Sequence, residues 1–142
     1  MNMPRTVELR AGAELPSLKK TIQQRQIDCY SGVRPNSIHT DLEWAQKKGF
    51  PRTLVQALMS TAYVSQMMVT WLGAGFVQGG KISASFIQPV YEGDTLTARA
   101  VIKSIEEIAG RPHVTVECWC ENQNGAKTLV GSASGFTDHL RS

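Results

Sequence analysis

The sequence predicts an α+β domain in which a curved antiparallel sheet wraps around one long central helix. Two patterns carry that expectation. Downstream of Gly80, apolar residues recur at every second position: Ile82, Ala84 and Phe86, then Leu96, Ala98, Ala100 and Ile102, then Val114, Val116, Cys118 and Cys120. Such alternation marks antiparallel strands with one buried face. Upstream, Leu54, Leu58, Thr61, Ala62, Ser65, Met68, Val69 and Leu72 lie about one helical turn apart, and the residues between them are mostly apolar or small. A helix apolar nearly all round is a buried one. At 142 residues the chain has room for one such domain with one core, spanning 1–142.

Taken in order, Thr6–Arg10 and Ser17–Ile22 read as short strands. Thr21-Ile22-Gln23-Gln24 fits a capping box that opens a short helix over Gln24–Tyr30. Ser31–Ser37 is a loop by its Gly, Pro and Asn content. Thr40-Asp41-Leu42-Glu43 is a second capping box, with Asp41 and Glu43 placing negative charge at the first turn. That helix should run to Lys48 and stop at Gly49, with Pro51 just beyond. His39 therefore ends a loop immediately before a helix, held by the scaffold yet free to face a cleft. The longest helix is expected over Leu54–Trp71, ended by Gly73-Ala74-Gly75. Gln88–Asp94 is a connection, and Asn122–Gly125 a hairpin turn, because Asn-Gly supplies positive φ. A last strand covers Lys127–Phe136, so the strands after Gly80 should form a four-stranded meander.

Composition excludes several classes. Apolar residues make up 42% and charged residues 19%, the balance of an ordinary globular protein. A net charge of +3, without a basic cluster longer than Lys47-Lys48, gives no footprint for nucleic acid. The apolar run Leu54–Phe76 contains Gln56, Ser60, Thr61, Ser65, Gln66 and Thr70, too many polar groups for a membrane span. The opening residues hold no apolar stretch of signal-peptide length. Three cysteines make no closed disulfide framework, and together these features point to the cytoplasm. Cys118 and Cys120 face the same way on a strand, either as two metal ligands or, the favoured reading, as small apolar residues of a buried face. His39, His113 and His139 join no metal-ligand spacing, so neither metal nor cofactor is called for.

The segment Tyr30-Ser31-Gly32-Val33-Arg34-Pro35-Asn36-Ser37-Ile38-His39 resembles the hydratase motif of the MaoC-like (R)-specific enoyl-thioester hydratases, Ser-Gly-Asp-x-Asn-Pro-Ile/Leu-His. The likeness continues through Leu42-Glu43-Trp44-Ala45 and Gly49-Phe50, and resumes at Phe86–Leu96, similar to the family's Phe-x-x-Pro-Val-x-x-Gly-Asp. It covers roughly residues 15–135 in order. The resemblance implies a hot-dog fold, a homodimer or pseudo-dimer, and an acyl thioester substrate on CoA or an acyl carrier protein. The reaction it implies is reversible syn hydration of a trans-2-enoyl thioester. There an Asp and a His activate water, and a backbone N–H at the start of the central helix polarises the carbonyl.

His39 matches the family histidine and is the candidate acid/base. Asn36 matches the motif Asn, either as its catalytic companion or as a residue that shapes the loop. Arg34, Gln56 and Ala57 are the candidate substrate-binding residues. Gln56-Ala57-Leu58 stands where the family has His-Gly-Met, so Ala57 can still present a backbone N–H, and Gln56 either adds an amide or packs. The family's Asp has no counterpart, because Val33 and Arg34 occupy its place and arginine cannot serve as a base. Three functions stay open: a hydratase or dehydratase with His39 as its only acid/base; a divergent isomerisation, elimination or cyclisation in which Arg34 binds an anionic group; and a non-catalytic acyl-binding partner subunit. Arg52, Lys81, Arg99 and Arg111 are undifferentiated candidates for a phosphate, and Trp71 and Trp119 either line a pocket or fill the core.

Overall fold

The computed structural model describes residues 7–138 and 140. Its elements are β1 (Leu18–Thr21), α1 (Gln24–Ser31), α2 (Leu42–Lys47), α3 (Ala57–Leu72), α4 (Ala74–Val77), β2 (Lys81–Phe86), β3 (Thr95–Ile108), β4 (Arg111–Glu121) and β5 (Lys127–Phe136). The strands form one five-stranded antiparallel sheet in the order β1-β3-β4-β5-β2. The α+β class and the sheet wrapped around a long helix are as the patterning predicts.

The expected four-stranded meander is corrected. Only β3, β4 and β5 run as consecutive hairpins, while β2 pairs with β5 at the far edge. The cause is the connection after Phe86. It does not turn back to pair beside β2 but is pinned to the entry of α3 and leads to the other side of the sheet order. Val55 N–H donates to Val90 O at 2.8 Å and Glu92 N–H to Thr53 O at 2.9 Å. Gly93 N–H and Asp94 O then bond with Ile22, so β3 begins beside β1. A local pattern of alternation says that strands exist and is silent on which strands are neighbours.

Several boundaries move for physical reasons. Thr6 lies outside the described residues, and Val7–Arg10 form no strand. The sheet contact there is made later, where Gly12 and Leu15 N–H groups donate to Ile102 O and Ala100 O. Gln23, not Thr21, caps α1, and Gln26 Oε1 accepts from its backbone N–H at 2.6 Å. Asp41, not Thr40, caps α2, accepting from Trp44 N–H at 3.1 Å. Gly49, at φ 95°, supplies the left-handed residue just past that helix. Most consequential is α3. Leu54 and Val55 donate their N–H groups to Ile38 O and Val90 O in extended conformation, so the helix starts at Ala57 rather than Leu54. The Asn122–Gly125 turn forms as expected, with Gly125 at φ 78° and Asn122 Oδ1 accepting from the N–H groups of Asn124 and Ala126.

The core lies between the sheet and α3. Val64, Met67, Met68, Trp71 and Leu72 of the helix meet Leu96, Ile102, Val114, Val116 and Leu129 of the strands. Each such side chain contributes about 1.5–3 kcal/mol when removed from water. Trp71 is a core residue, whereas Trp119 is half-buried beneath Lys127, whose ammonium sits 5.0 Å from the ring centre. Among the described residues no helix is long and apolar enough to cross a membrane, and no cluster of His, Cys, Asp and Glu could hold a metal. His139 lies outside the described residues.

Cys118 and Cys120 are buried strand residues, and all three cysteines are unpaired. Burial pushes the Cys118 thiol up to about 11 and the Cys120 thiol up to about 12. The nucleophilic species is the thiolate, so neither reacts at moderate pH. With a disulfide reagent at pH ~8, the folded protein should release one equivalent rapidly, from exposed Cys29, and all three only after unfolding. Rapid reaction of a second thiol in the folded protein would contradict this burial.

Candidate active site

The loop between α1 and α2 is braced by its own side chains. Thr40 Oγ1 donates to Arg34 O at 2.8 Å and accepts from Arg34 N–H at 2.9 Å. Asn36, at φ 59°, takes a left-handed conformation that asparagine tolerates better than most residues. Its N–H donates to Asp41 Oδ2 at 3.0 Å. The backbone N–H groups of Trp44 and Asn36 together hold the Asp41 carboxyl below the ordinary carboxylate value.

This brace delivers His39. Its backbone N–H donates to Ser37 Oγ at 3.2 Å, and its carbonyl accepts from Gln24 Nε2 at 2.8 Å. Gln24 is a hub: the same amide donates to Asp28 Oδ1 at 2.8 Å, and its Oε1 accepts from the Thr53 hydroxyl. The ring is fixed from the next residue, where His39 Nδ1 lies 2.9 Å from Leu54 O. A carbonyl only accepts, so Nδ1 carries a proton, and in the neutral ring this leaves the lone pair on Nε2. No other hydrogen bond among the described residues engages the ring.

His39 lines a cavity of about 370 Å³. Phe50, Leu54, Val55, Phe86, Ile87 and Val90 give it apolar walls, while Ser60, Gln88 and Thr128 add polar groups. Ala57 lines it too, as the first residue of α3. Gln56, the residue before the helix, makes no side-chain cap. The N–H groups of Ala57 and Leu58 therefore have no partner among the described residues, and the helix dipole adds positive potential there.

The sequence-predicted residues thus separate. His39 and Ala57 share the cavity, whereas Arg34, Asn36 and Gln56 are not among its lining. Arg34 is exposed in the loop. Gln56 is buried, and its Nε2 donates to Ile27 O at 3.0 Å and Ser31 Oγ at 2.6 Å, clamping the end of α1 to the start of α3. No carboxylate lines the cavity among the described residues: Val33, at the motif Asp's place, is 70% exposed, and Asp28 is turned to Gln24. Sequence reasoning missed Gln24, Ser60 and Thr128. Gln24 was visible only as a cap, and Ser60 only as a polar interruption in an apolar helix.

A curved sheet around a buried helix, with a histidine and that helix's N-terminus on one apolar cavity, defines a hot-dog domain of the hydratase type. The sequence matches the MaoC like domain over residues 10–123, and the chain belongs to the MaoC-like dehydratase family. Solved structures agree on the fold. The (R)-hydratase from A. caviae involved in PHA biosynthesis is 23% identical, with a TM-score of 0.75 over 89% of this chain and 96% of that one. R-hydratase PhaJ1 from Pseudomonas aeruginosa is 24% identical, with a TM-score of 0.74 over 96% and 85%. The ChsH1-ChsH2 complex from Mycobacterium tuberculosis is 20% identical, with a TM-score of 0.73 over 92% and 99%. No curated protein sequence matches the chain significantly.

Proposed function

We propose that the protein is a hydratase/dehydratase acting on an enoyl or 3-hydroxyacyl thioester carried on CoA or an acyl carrier protein. The observation that carries this reading is the meeting of His39 and the open N-terminus of α3 on one apolar cavity. In hydration, His39 Nε2 takes a proton from water as the water oxygen bonds to C3. The C2=C3 electrons move toward the thioester carbonyl, whose developing negative charge is met by the Ala57 N–H. The enolate then collapses and C2 takes the proton back from Nε2, so one water is added across one face. A positioned base contributes about 100- to 10,000-fold, and an oxyanion donor about 100- to 1000-fold.

The chain is proposed to act as a homodimer. β2 is a sheet edge with no strand beyond it among the described residues, and Phe86 and Ile87 at its end are 48% and 56% exposed beside the cavity. Pairing along that edge would cover both. Light scattering should return twice the chain mass, and a monomer would sink this part. Free cysteines suit a reducing compartment, in keeping with action in the cytoplasm.

The cavity without a carboxylate favours a second reading: a divergent isomerisation, elimination or cyclisation, or an acyl-binding subunit that lends its cavity to an active partner. The ChsH1-ChsH2 structure is a complex of two named components. The deciding experiment is hydration of crotonyl-CoA by the purified protein, followed as loss of enoyl-thioester absorbance. Steady turnover supports the hydratase. Absence of turnover transfers the weight to the second reading, with Arg34 the next residue to substitute.

A further inference from the structure

We infer that Ser60 holds the reacting water beside His39, in the role of the carboxylate that this cavity lacks. The inference rests on the hydratase reading and deepens it.

Ser60 lies three residues after Ala57, so the two occupy neighbouring positions on one face of α3. Both line the cavity with His39. Ser60 is only 4% exposed, yet no hydrogen bond among the described residues occupies its hydroxyl. Two other hydroxyls are engaged. Thr70 Oγ1 donates to Gln66 O at 2.8 Å, one turn back in the same helix, and Thr128 Oγ1 in the cavity wall donates to Cys120 O at 3.4 Å. Thr61 Oγ1 and Gln56 Oε1 also lack partners, but both are sealed from solvent, whereas Ser60 Oγ is not among the sealed atoms. Gln88 is the remaining polar side chain without a partner in the cavity lining, and it is exposed in the connection after β2. A buried, unsatisfied hydroxyl that opens into a cavity costs free energy unless something in the cavity bonds to it.

The chemistry supplies that something. Water attacking C3 gives one proton to His39 Nε2, and its other O–H needs an acceptor to aim the attacking lone pair. A carboxylate is acceptor only, but a serine hydroxyl can do the same task if its own proton has somewhere to go. The structure shows no such bond for Ser60, but rotation of its side chain toward the Gln56 main-chain carbonyl, one turn back, would give that proton an acceptor of the kind Thr70 finds on Gln66. Ser60 Oγ then accepts from the water while remaining neutral. No proton is transferred to it, so the balance of the hydration is unchanged.

The test is steady-state hydration of crotonyl-CoA by wild type, Ser60→Ala, Ser60→Thr and His39→Ala, with thermal unfolding of each. Alanine suits a helix and leaves no polar atom unpaired, so Ser60→Ala should fold as well as wild type. Its kcat should fall by about 10- to 100-fold, part of what a positioned base and water together supply, with KM little changed. Ser60→Thr, which keeps the hydroxyl, should recover most of the lost rate. If Ser60→Ala turns over within twofold of wild type while His39→Ala is dead, the water-holding role is overturned and the hydratase stands. Equal loss in the Ala and Thr variants, or a loss that appears in KM alone, points to packing and overturns it too. A wild-type protein without turnover removes the hydratase reading itself, and the role of Ser60 with it.

Discussion

Alanine at position 39 should bring crotonyl-CoA hydration down by at least about 100-fold and up to about 10,000-fold, the range a positioned base supplies. The reason is positional as well as chemical. His39 is the one basic side chain lining the cavity among the described residues, and its Nδ1 is committed to Leu54 O. Alanine removes the lone pair and also leaves that carbonyl short of a donor, at a cost of about 1 kcal/mol in stability. Those effects are separable. Asparagine at the same position carries an amide whose Nδ2 can take the place of Nδ1 and donate to Leu54 O, but it has no basic nitrogen. His39→Asn should therefore regain stability while staying as inactive as His39→Ala. An asparagine variant with near wild-type kcat would mean that His39 only braces the loop. The same pair of variants reports on the brace, because Gln24 and Ser37 hold the His39 backbone whatever its side chain is.

The fold class was legible because burial imposes a period. One face of β3 and β4 is inside, so Leu96, Ala98, Ala100 and Ile102 and then Val114, Val116, Cys118 and Cys120 are apolar in strict alternation. The place of β2 was not legible, since its partner is chosen by the path of the Ile87–Asp94 connection and not by its own pattern. Likewise His39 stood out through its motif neighbours, whereas Gln24 did not. A glutamine next to a helix start reads as a cap, and nothing local says that its amide reaches a carbonyl fifteen residues away. Gln56 shows the opposite case. Its motif position left a substrate contact and packing both open, and its amide nitrogen is held by Ile27 and Ser31. The start of α3 mattered most of all. Leu54 and Val55 fit the helical period, yet their N–H groups are drawn off by Ile38 and Val90, and this brings Ala57 to the first helical position.

That position makes the proposed oxyanion donor testable by a single substitution. Proline at the first residue of a helix is well tolerated, because the N–H it lacks has no helical partner anyway. The residue before a proline must be extended, and Gln56 already is, at φ −61° and ψ 135°. Ala57→Pro should therefore preserve α3 and the thermal stability of the protein, while deleting the backbone donor proposed to meet the thioester carbonyl. Loss of a single such donor typically lowers kcat by about 100- to 1000-fold. Ala57→Gly is the matched control: it keeps the N–H, opens the space, and should hold kcat close to wild type. Because a pyrrolidine ring also adds bulk to the cavity wall, KM separates the two effects. A fall in kcat at nearly constant KM marks a donor that acts only as charge develops, since ground-state crowding would raise KM. Should Ala57→Pro hydrate crotonyl-CoA at the wild-type rate, the carbonyl must lie against another group, with Leu58 N–H the next donor along the same helix start.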